Sequence, residues 1–176
     1  FHPAMKTVAP IRRELGVKTF FNMLGPLVNP AKPQNQMVGV FNLELARIYA
    51  YLYQKSDVKY TILNALDGYD EISLTCDFKT FSADGEKINS VESLGFTKVN
   101  EDQITGGHTV SDSADIFMKI LNDDASVAQT RVVLSNAAMA IKTIHPEKSF
   151  ADCFYEAEES LTAKKALNSF KTLIAN

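Results

Sequence analysis

The sequence predicts an α/β fold, with a mixed, partly parallel β-sheet flanked by helices. Three observations predict it. Two short apolar runs, residues 37–41 and 60–66, are separated by an amphipathic stretch of helical period. A period-two alternation follows residue 71, and helical patterning dominates after Ser111. Strand, helix and strand in close succession imply parallel strands with a right-handed crossover, whereas alternation across a turn implies a hairpin, so the sheet is mixed. A chain of 176 residues can bury a core of one domain's size. Residues 1–176 are expected to form one α/β domain that begins inside its N-terminal side.

In chain order, residues 8–15 can form a short helix. Pro10 is tolerated in its first turn and Gly16 stops it. The ten residues from Leu24 to Pro33 contain three prolines and one glycine, which predicts a long, stiff loop without regular structure. Residues 37–41 read as a buried strand. Residues 43–55 read as a helix with Leu45, Tyr49, Leu52 and Tyr53 on one face, at spacings of three and four. Residues 60–66 give the next strand. In residues 71–83 the apolar Ile72, Leu74, Cys76 and Phe78 stand two apart, and the turn Ala83-Asp84-Gly85-Glu86 sends the chain back towards Ile88 and Val91. Ser111 can cap a helix that carries Ala114, Phe117, Ile120 and Leu121, with Asp112 and Asp115 in its first turn. Residues 126–144 are apolar almost all round, which predicts a buried helix ended by Pro146. Ser149 starts another, with Phe150, Phe154, Ala157 and Leu161 as its buried stripe.

Composition excludes several classes of function. Hydrophobic residues make up 45% and charged residues 22%, which is ordinary globular usage. A formal net charge of -3 argues against a nucleic-acid footprint. The two cysteines, Cys76 and Cys153, are far apart and lack metal-ligand spacing, so free thiols are expected. No apolar stretch approaches a membrane span, so no membrane partner is expected, and the cytoplasm is the expected compartment. The chain opens at Phe1-His2-Pro3-Ala4-Met5-Lys6 without an initiator Met, as a chain cut mid-domain would.

Asp67-Gly68-Tyr69-Asp70-Glu71 falls at the carboxyl end of an expected strand, where ligands collect in open α/β sheets. A turn breaks the alternation of faces, so Asp70 and Glu71 can converge on one hard cation such as Mg²⁺. That ion usually keeps waters and substrate phosphates as its other ligands. The same residues also suit a plain polar turn at Gly68. Arg12 and Arg13 point about 100° apart on a helix, so at most one enters a site. An arginine fork suits a carboxylate or phosphate, but position alone favours a solvated surface pair. The stiff loop through Pro26 can wall a pocket for a flat apolar ligand or simply cross the structure. His2 can orient a substrate or carry a proton. No Ser or Cys is placed as its nucleophile, so no catalytic residue is assigned. Gly106-Gly107-His108 lacks the strand and helix context of a phosphate cradle.

Taken as whole strings, the residues say more. His2-Pro3-Ala4-Met5-Lys6, Pro10-Ile11-Arg12-Arg13-Glu14-Leu15-Gly16-Val17-Lys18-Thr19 and Phe21-Asn22-Met23-Leu24-Gly25-Pro26-Leu27-Val28-Asn29-Pro30-Ala31 resemble one continuous signature of the anthranilate phosphoribosyltransferases. The acidic turn and Asn136-Ala137-Ala138 resemble later parts of that family. The resemblance implies a sheet of the C-terminal-domain type shared by nucleoside phosphorylases and phosphoribosyltransferases. It implies transfer of the phosphoribosyl group from phosphoribosyl pyrophosphate (PRPP) to anthranilate with Mg²⁺, the second step from chorismate to tryptophan. By the same resemblance Arg12 faces the anthranilate carboxylate, His2 and Pro26 line the anthranilate pocket or its approach, and Asp70 and Glu71 hold the metal. The family's glycine-rich phosphate loop and its helical domain, through which it dimerises, lie upstream of His2 and are not in this chain. The chain alone is therefore expected to have negligible activity. Two departures are visible: Lys18 stands where Arg is common, and His108 where an acid is common.

Overall fold

In the computed structural model, which describes residues 6, 8–11, 14, 16 and 21–175, strand β1 (Asn35–Gly39) and strand β2 (Lys59–Ala65) run parallel, joined by helix α1 (Leu43–Tyr53). Strands β3 (Phe78–Ser82) and β4 (Gly85–Asn89) form an antiparallel hairpin, and β3 lies antiparallel to β2. The sheet order β1-β2-β3-β4 is the mixed, partly parallel arrangement expected. The helices that follow the hairpin are α2 (Val110–Leu121), α3 (Val127–Ile144), α4 (Phe150–Thr162) and α5 (Lys165–Ala175). No helix among the described residues is long and apolar enough to cross a membrane.

Strand β2 is the spine of the sheet. It is buried from Tyr60 to Ala65 because it has a hydrogen-bonded neighbour on each side and a helix on each face. Successive side chains alternate between those faces. Leu63 and Ala65 meet Phe78 and Met139 of α3 in the main core, together with Ile72, Leu74 and Val91. On the other face Tyr60 stacks on Tyr53 of α1, with ring centroids 5.4 Å apart. Asn64 is also buried, and its Nδ2 donates to the Val40 carbonyl at 2.7 Å. This bond continues the β1–β2 pairing beyond Gly39 and ties together the carboxyl ends of both strands. Helices α3 and α4 close a second core of Leu134, Ala157 and Leu161.

The chain divides into two compact units, residues 1–33 and 34–176. In the first, the described residues 6, 8–11 and 14 are helical, and Gly16 takes a left-handed φ of 61°.

Several expectations need correction. The stretch from Leu24 to Pro33 is not wholly irregular: a helical turn, Phe21–Leu24, runs into a 3₁₀ turn, Gly25–Val28. Pro26 lies in that turn's first two positions, where its missing N–H breaks no bond. Residues 71–77 are an ordered loop and not strand; only Phe78–Ser82 joins the ladder. Period two misled there because Leu74 sits at φ 61° and turns the backbone while its side chain stays buried. Helix α2 is capped by Thr109, not Ser111. Thr109 Oγ1 accepts from the Asp112 N–H at 3.1 Å, and Asp112 Oδ2 accepts from the Thr109 N–H at 3.0 Å. Ala114 and Phe117 of α2 are exposed, as is Leu52 of α1. Helix α3 is buried along one face only; Val127, Val133 and Ile144 are exposed.

Candidate functional site

The acidic turn leaves the carboxyl end of β2. The Gly68 N–H donates to the Ala65 carbonyl and the Ala65 N–H donates to the Tyr69 carbonyl, both at 3.0 Å, so the chain reverses within four residues. Gly68 takes a φ of 99°, which glycine adopts without steric cost. Asp67 is engaged inside the loop, where its Oδ2 accepts from the Thr75 hydroxyl. Thr75 in turn shares a 2.7 Å hydrogen bond with the buried Ser73 hydroxyl. Asp67 is thereby committed to loop structure, leaving Asp70 and Glu71 as the exposed acidic pair.

Two backbone constraints set the position of that pair. Asp70 lies directly over Gly39, the last residue of β1: a Cβ at Gly39 would overlap the Asp70 carbonyl. On the other side Asn136 of α3 grips the next residue. Its Oδ1 accepts from the Ile72 N–H and its Nδ2 donates to the Ile72 carbonyl, each at 2.9 Å. Ile72 and Leu74 are fully buried in the main core beneath the loop. Burying one such side chain stabilises by about 1.5–3 kcal/mol, so the loop is anchored from below as well.

The electrostatics favour a cation. The Glu71 pKa is raised, first by partial desolvation of its carboxyl and then by the negative charge of Asp70. Two neighbouring carboxylates that repel each other are the pattern a divalent ion relieves. Among the described residues no group of three or more His, Cys, Asp or Glu side chains is assembled for a metal. A pair of carboxylates is nonetheless what Mg²⁺ uses when substrate phosphates and waters complete its shell. The donor set therefore fits Mg²⁺.

The other singled-out residues fall as follows. Pro26 is half-buried within the first unit. His2 and Arg12 lie outside the described residues, as do Arg13 and Lys18. Gly106 and Gly107 shape the entry to α2 and form no anion cradle. A Cβ at Gly107, whose φ is 86°, would collide with Asp112, and the Gly106 carbonyl accepts from Ser113 Oγ at 2.7 Å. At the α2 N-terminus Thr109 Oγ1 accepts from the Asp112 N–H, and Asp112 Oδ2 accepts from the His108 and Thr109 N–H groups. His145 ends α3 and stands 3.3 Å from Glu147. Cys76 and Cys153 are free thiols.

Sequence reasoning gave no role to Gly39 or Asn136. A signal existed for both. A glycine inside the apolar run Met37-Val38-Gly39-Val40 marks a close backbone approach. A carboxamide within an otherwise apolar stretch of α3 marks a buried partner.

Residues 1–167 match the family described as "Glycosyl transferase family, a/b domain". An anthranilate phosphoribosyltransferase of Christiangramia forsetii is 54% identical over 176 residues, covering 98% of this chain and 52% of the relative. The crystal structure of anthranilate phosphoribosyltransferase from Thermus thermophilus superimposes with a TM-score of 0.87 at 27% identity, covering 99% of this chain and 53% of that one. The Saccharomyces cerevisiae anthranilate phosphoribosyltransferase in complex with PRPP and Mg superimposes with a TM-score of 0.87 at 22% identity. That likeness covers 97% of this chain and 49% of the yeast chain, and it shows a common fold. The chain spans about half the length of the relatives it matches.

Proposed function

Because this chain belongs to the glycosyl transferase family, a/b domain, we propose that it is the α/β part of an anthranilate phosphoribosyltransferase acting in tryptophan biosynthesis. The observation that carries the proposal is the exposed Asp70–Glu71 pair at the carboxyl end of β2, in a chain 54% identical to an enzyme of that name. Asp70 and Glu71 would hold Mg²⁺, which when bound would supply Lewis-acid stabilisation of charge on the leaving pyrophosphate.

The chain's own residues bind and orient. Arg12 is assigned to the anthranilate carboxylate, a partner that an arginine fork suits. His2 and the half-buried Pro26 line the anthranilate pocket or its approach. The aromatic amine, neutral at pH 7, attacks the anomeric carbon of the ribose. The bond from that carbon to pyrophosphate breaks, its electron pair leaves on pyrophosphate, and the amine nitrogen loses a proton. An amine already neutral needs no strong base, so positioning and electrostatic stabilisation carry the rate. The products are N-(5-phosphoribosyl)anthranilate and pyrophosphate.

The test is substrate discrimination in a protein that extends this chain upstream to the length of its relatives. Anthranilate fluorescence should decay only when PRPP and Mg²⁺ are both supplied. Thymidine with inorganic phosphate should give no thymine. Phosphorolysis of thymidine without turnover of anthranilate would contradict the proposal.

A further inference from the structure

Asn136 directs its side-chain hydrogen bonds at backbone. Its Oδ1 takes the Ile72 N–H, and its Nδ2 gives one hydrogen to the Ile72 carbonyl and one to the Val132 carbonyl, all at 2.9 Å. The first two bonds copy the exchange between paired residues of an antiparallel ladder, although Ile72 belongs to no strand. The third fixes the carboxamide to its own helix. The Ile72 N–H is part of the peptide group that follows Glu71, so its bond to Asn136 sets that peptide plane. On the opposite side the Asp70 carbonyl rests against Gly39. Asp70 and Glu71 are thus held between a glycine floor on β1 and an amide clasp from α3, 64 residues further along the chain.

The bond satisfies the Ile72 N–H and carbonyl beside the buried core, and it also fixes the peptide plane that follows Glu71. Its specific effect is on the backbone angle that aims the Glu71 side chain. We propose that Asn136 is a positioning residue for the cation site: through the Ile72 peptide it holds Glu71 in register with Asp70 for a divalent ion. This inference rests on the reading of Asp70 and Glu71 as the metal pair. Partners in the outer shell of a metal site that orient its ligands typically change metal affinity about 10–100-fold when removed.

The experiment is Mn²⁺ binding to this chain, followed by electron paramagnetic resonance of the free ion, with amide hydrogen exchange measured alongside. Asn136→Ala should raise the Mn²⁺ dissociation constant about tenfold or more. Exchange at the Ile72 amide should accelerate on the order of tenfold, while Ile62 and Leu63 in β2 keep their protection. A role in general stability alone would raise exchange throughout the sheet and leave Mn²⁺ affinity unchanged well below the melting temperature. Wild-type Mn²⁺ affinity in Asn136→Ala overturns the proposal. An Asp70→Asn, Glu71→Gln double variant that binds Mn²⁺ like the wild type overturns instead the metal reading beneath it. A companion measurement leaves Asn136 intact: titrating Mg²⁺ into the unsubstituted chain should shift the Asn136 side-chain amide resonances together with the Ile72 amide. A Glu71 amide that moves while Asn136 stays fixed overturns the coupling.

Discussion

At Gly39 the α-carbon lies beneath the Asp70 carbonyl, so the site depends on a side chain being absent. Gly39→Ala must push the acidic turn off the strand or strain β1. Overpacking of this kind costs about 1–3 kcal/mol. Urea denaturation should show a loss of that size, and an unchanged midpoint would mean the turn yields freely. Thr109 gives a second test. It caps α2 through the Asp112 N–H, and Thr109→Ala should cost about 1 kcal/mol. Asp112 itself titrates below the usual carboxylate range, chiefly through its hydrogen bond with Thr109 and then through the His108 and Thr109 backbone N–H groups. A depressed folded pKa means the stability it adds is present above the unfolded value and is lost as pH falls through the folded one. Asp112→Asn should therefore flatten part of the acid branch of the stability curve. Glu71 has the opposite sign. Its pKa is raised by desolvation and by Asp70, so its favourable contribution is present below the unfolded value and lost as pH rises through the folded one. In metal-free buffer, Glu71→Gln should melt higher than the wild type at pH 7 and match it at about pH 3.5, below the ordinary glutamate value. A lower melting point at pH 7 would show that Glu71 is not under electrostatic strain.

Among the elements, those with a strong period of their own were legible in sequence. Strands β1 and β2 and helix α1 followed from apolar runs of strand length around an amphipathic stretch, and their pairing is parallel as a βαβ unit requires. Helices α3 and α4 lie in the stretches expected for them; Ser149 caps α4 as its sequence predicts, and Ser126 caps α3. The loop of residues 71–77 was not legible as a loop. Its apolar residues stand two apart in sequence like a strand's, yet Ile72, Ser73 and Leu74 are all buried in succession. What distinguishes the loop from a strand is Leu74 in a left-handed conformation and the Asp67–Thr75–Ser73 network, and neither leaves a periodic trace. The exposed sides of α2 and α3 were over-read as core for a related reason: composition reports how apolar a helix is, not which of its faces meets another element. The acidic pair was readable from its place after a strand. Its supports were not, since Asn136 is 64 residues from Ile72 in sequence. Leu74→Ala tests the loop as a unit. Truncation of a fully buried leucine costs about 2–5 kcal/mol, and here it should also weaken Mn²⁺ binding. A large loss of stability with unaltered Mn²⁺ affinity would separate the loop's packing from its aim.

For the molecule as a whole, the chain spans about half the length of its relatives, and the proposed metal pair is Asp70 and Glu71. The 176-residue chain by itself should consume anthranilate at a negligible rate. Turnover near that of a protein extended to the relatives' length would mean that these residues alone can cradle PRPP. The most direct measurement is the Mg²⁺ dependence of anthranilate consumption in the extended protein, compared with its Asp70→Asn variant. Loss of one ligand from a two-carboxylate site should raise the half-saturating Mg²⁺ concentration and lower turnover about 100-fold, on the order of the larger effects seen around metal centres. Wild-type turnover at wild-type Mg²⁺ in Asp70→Asn would contradict the assignment of the acidic turn as the metal site.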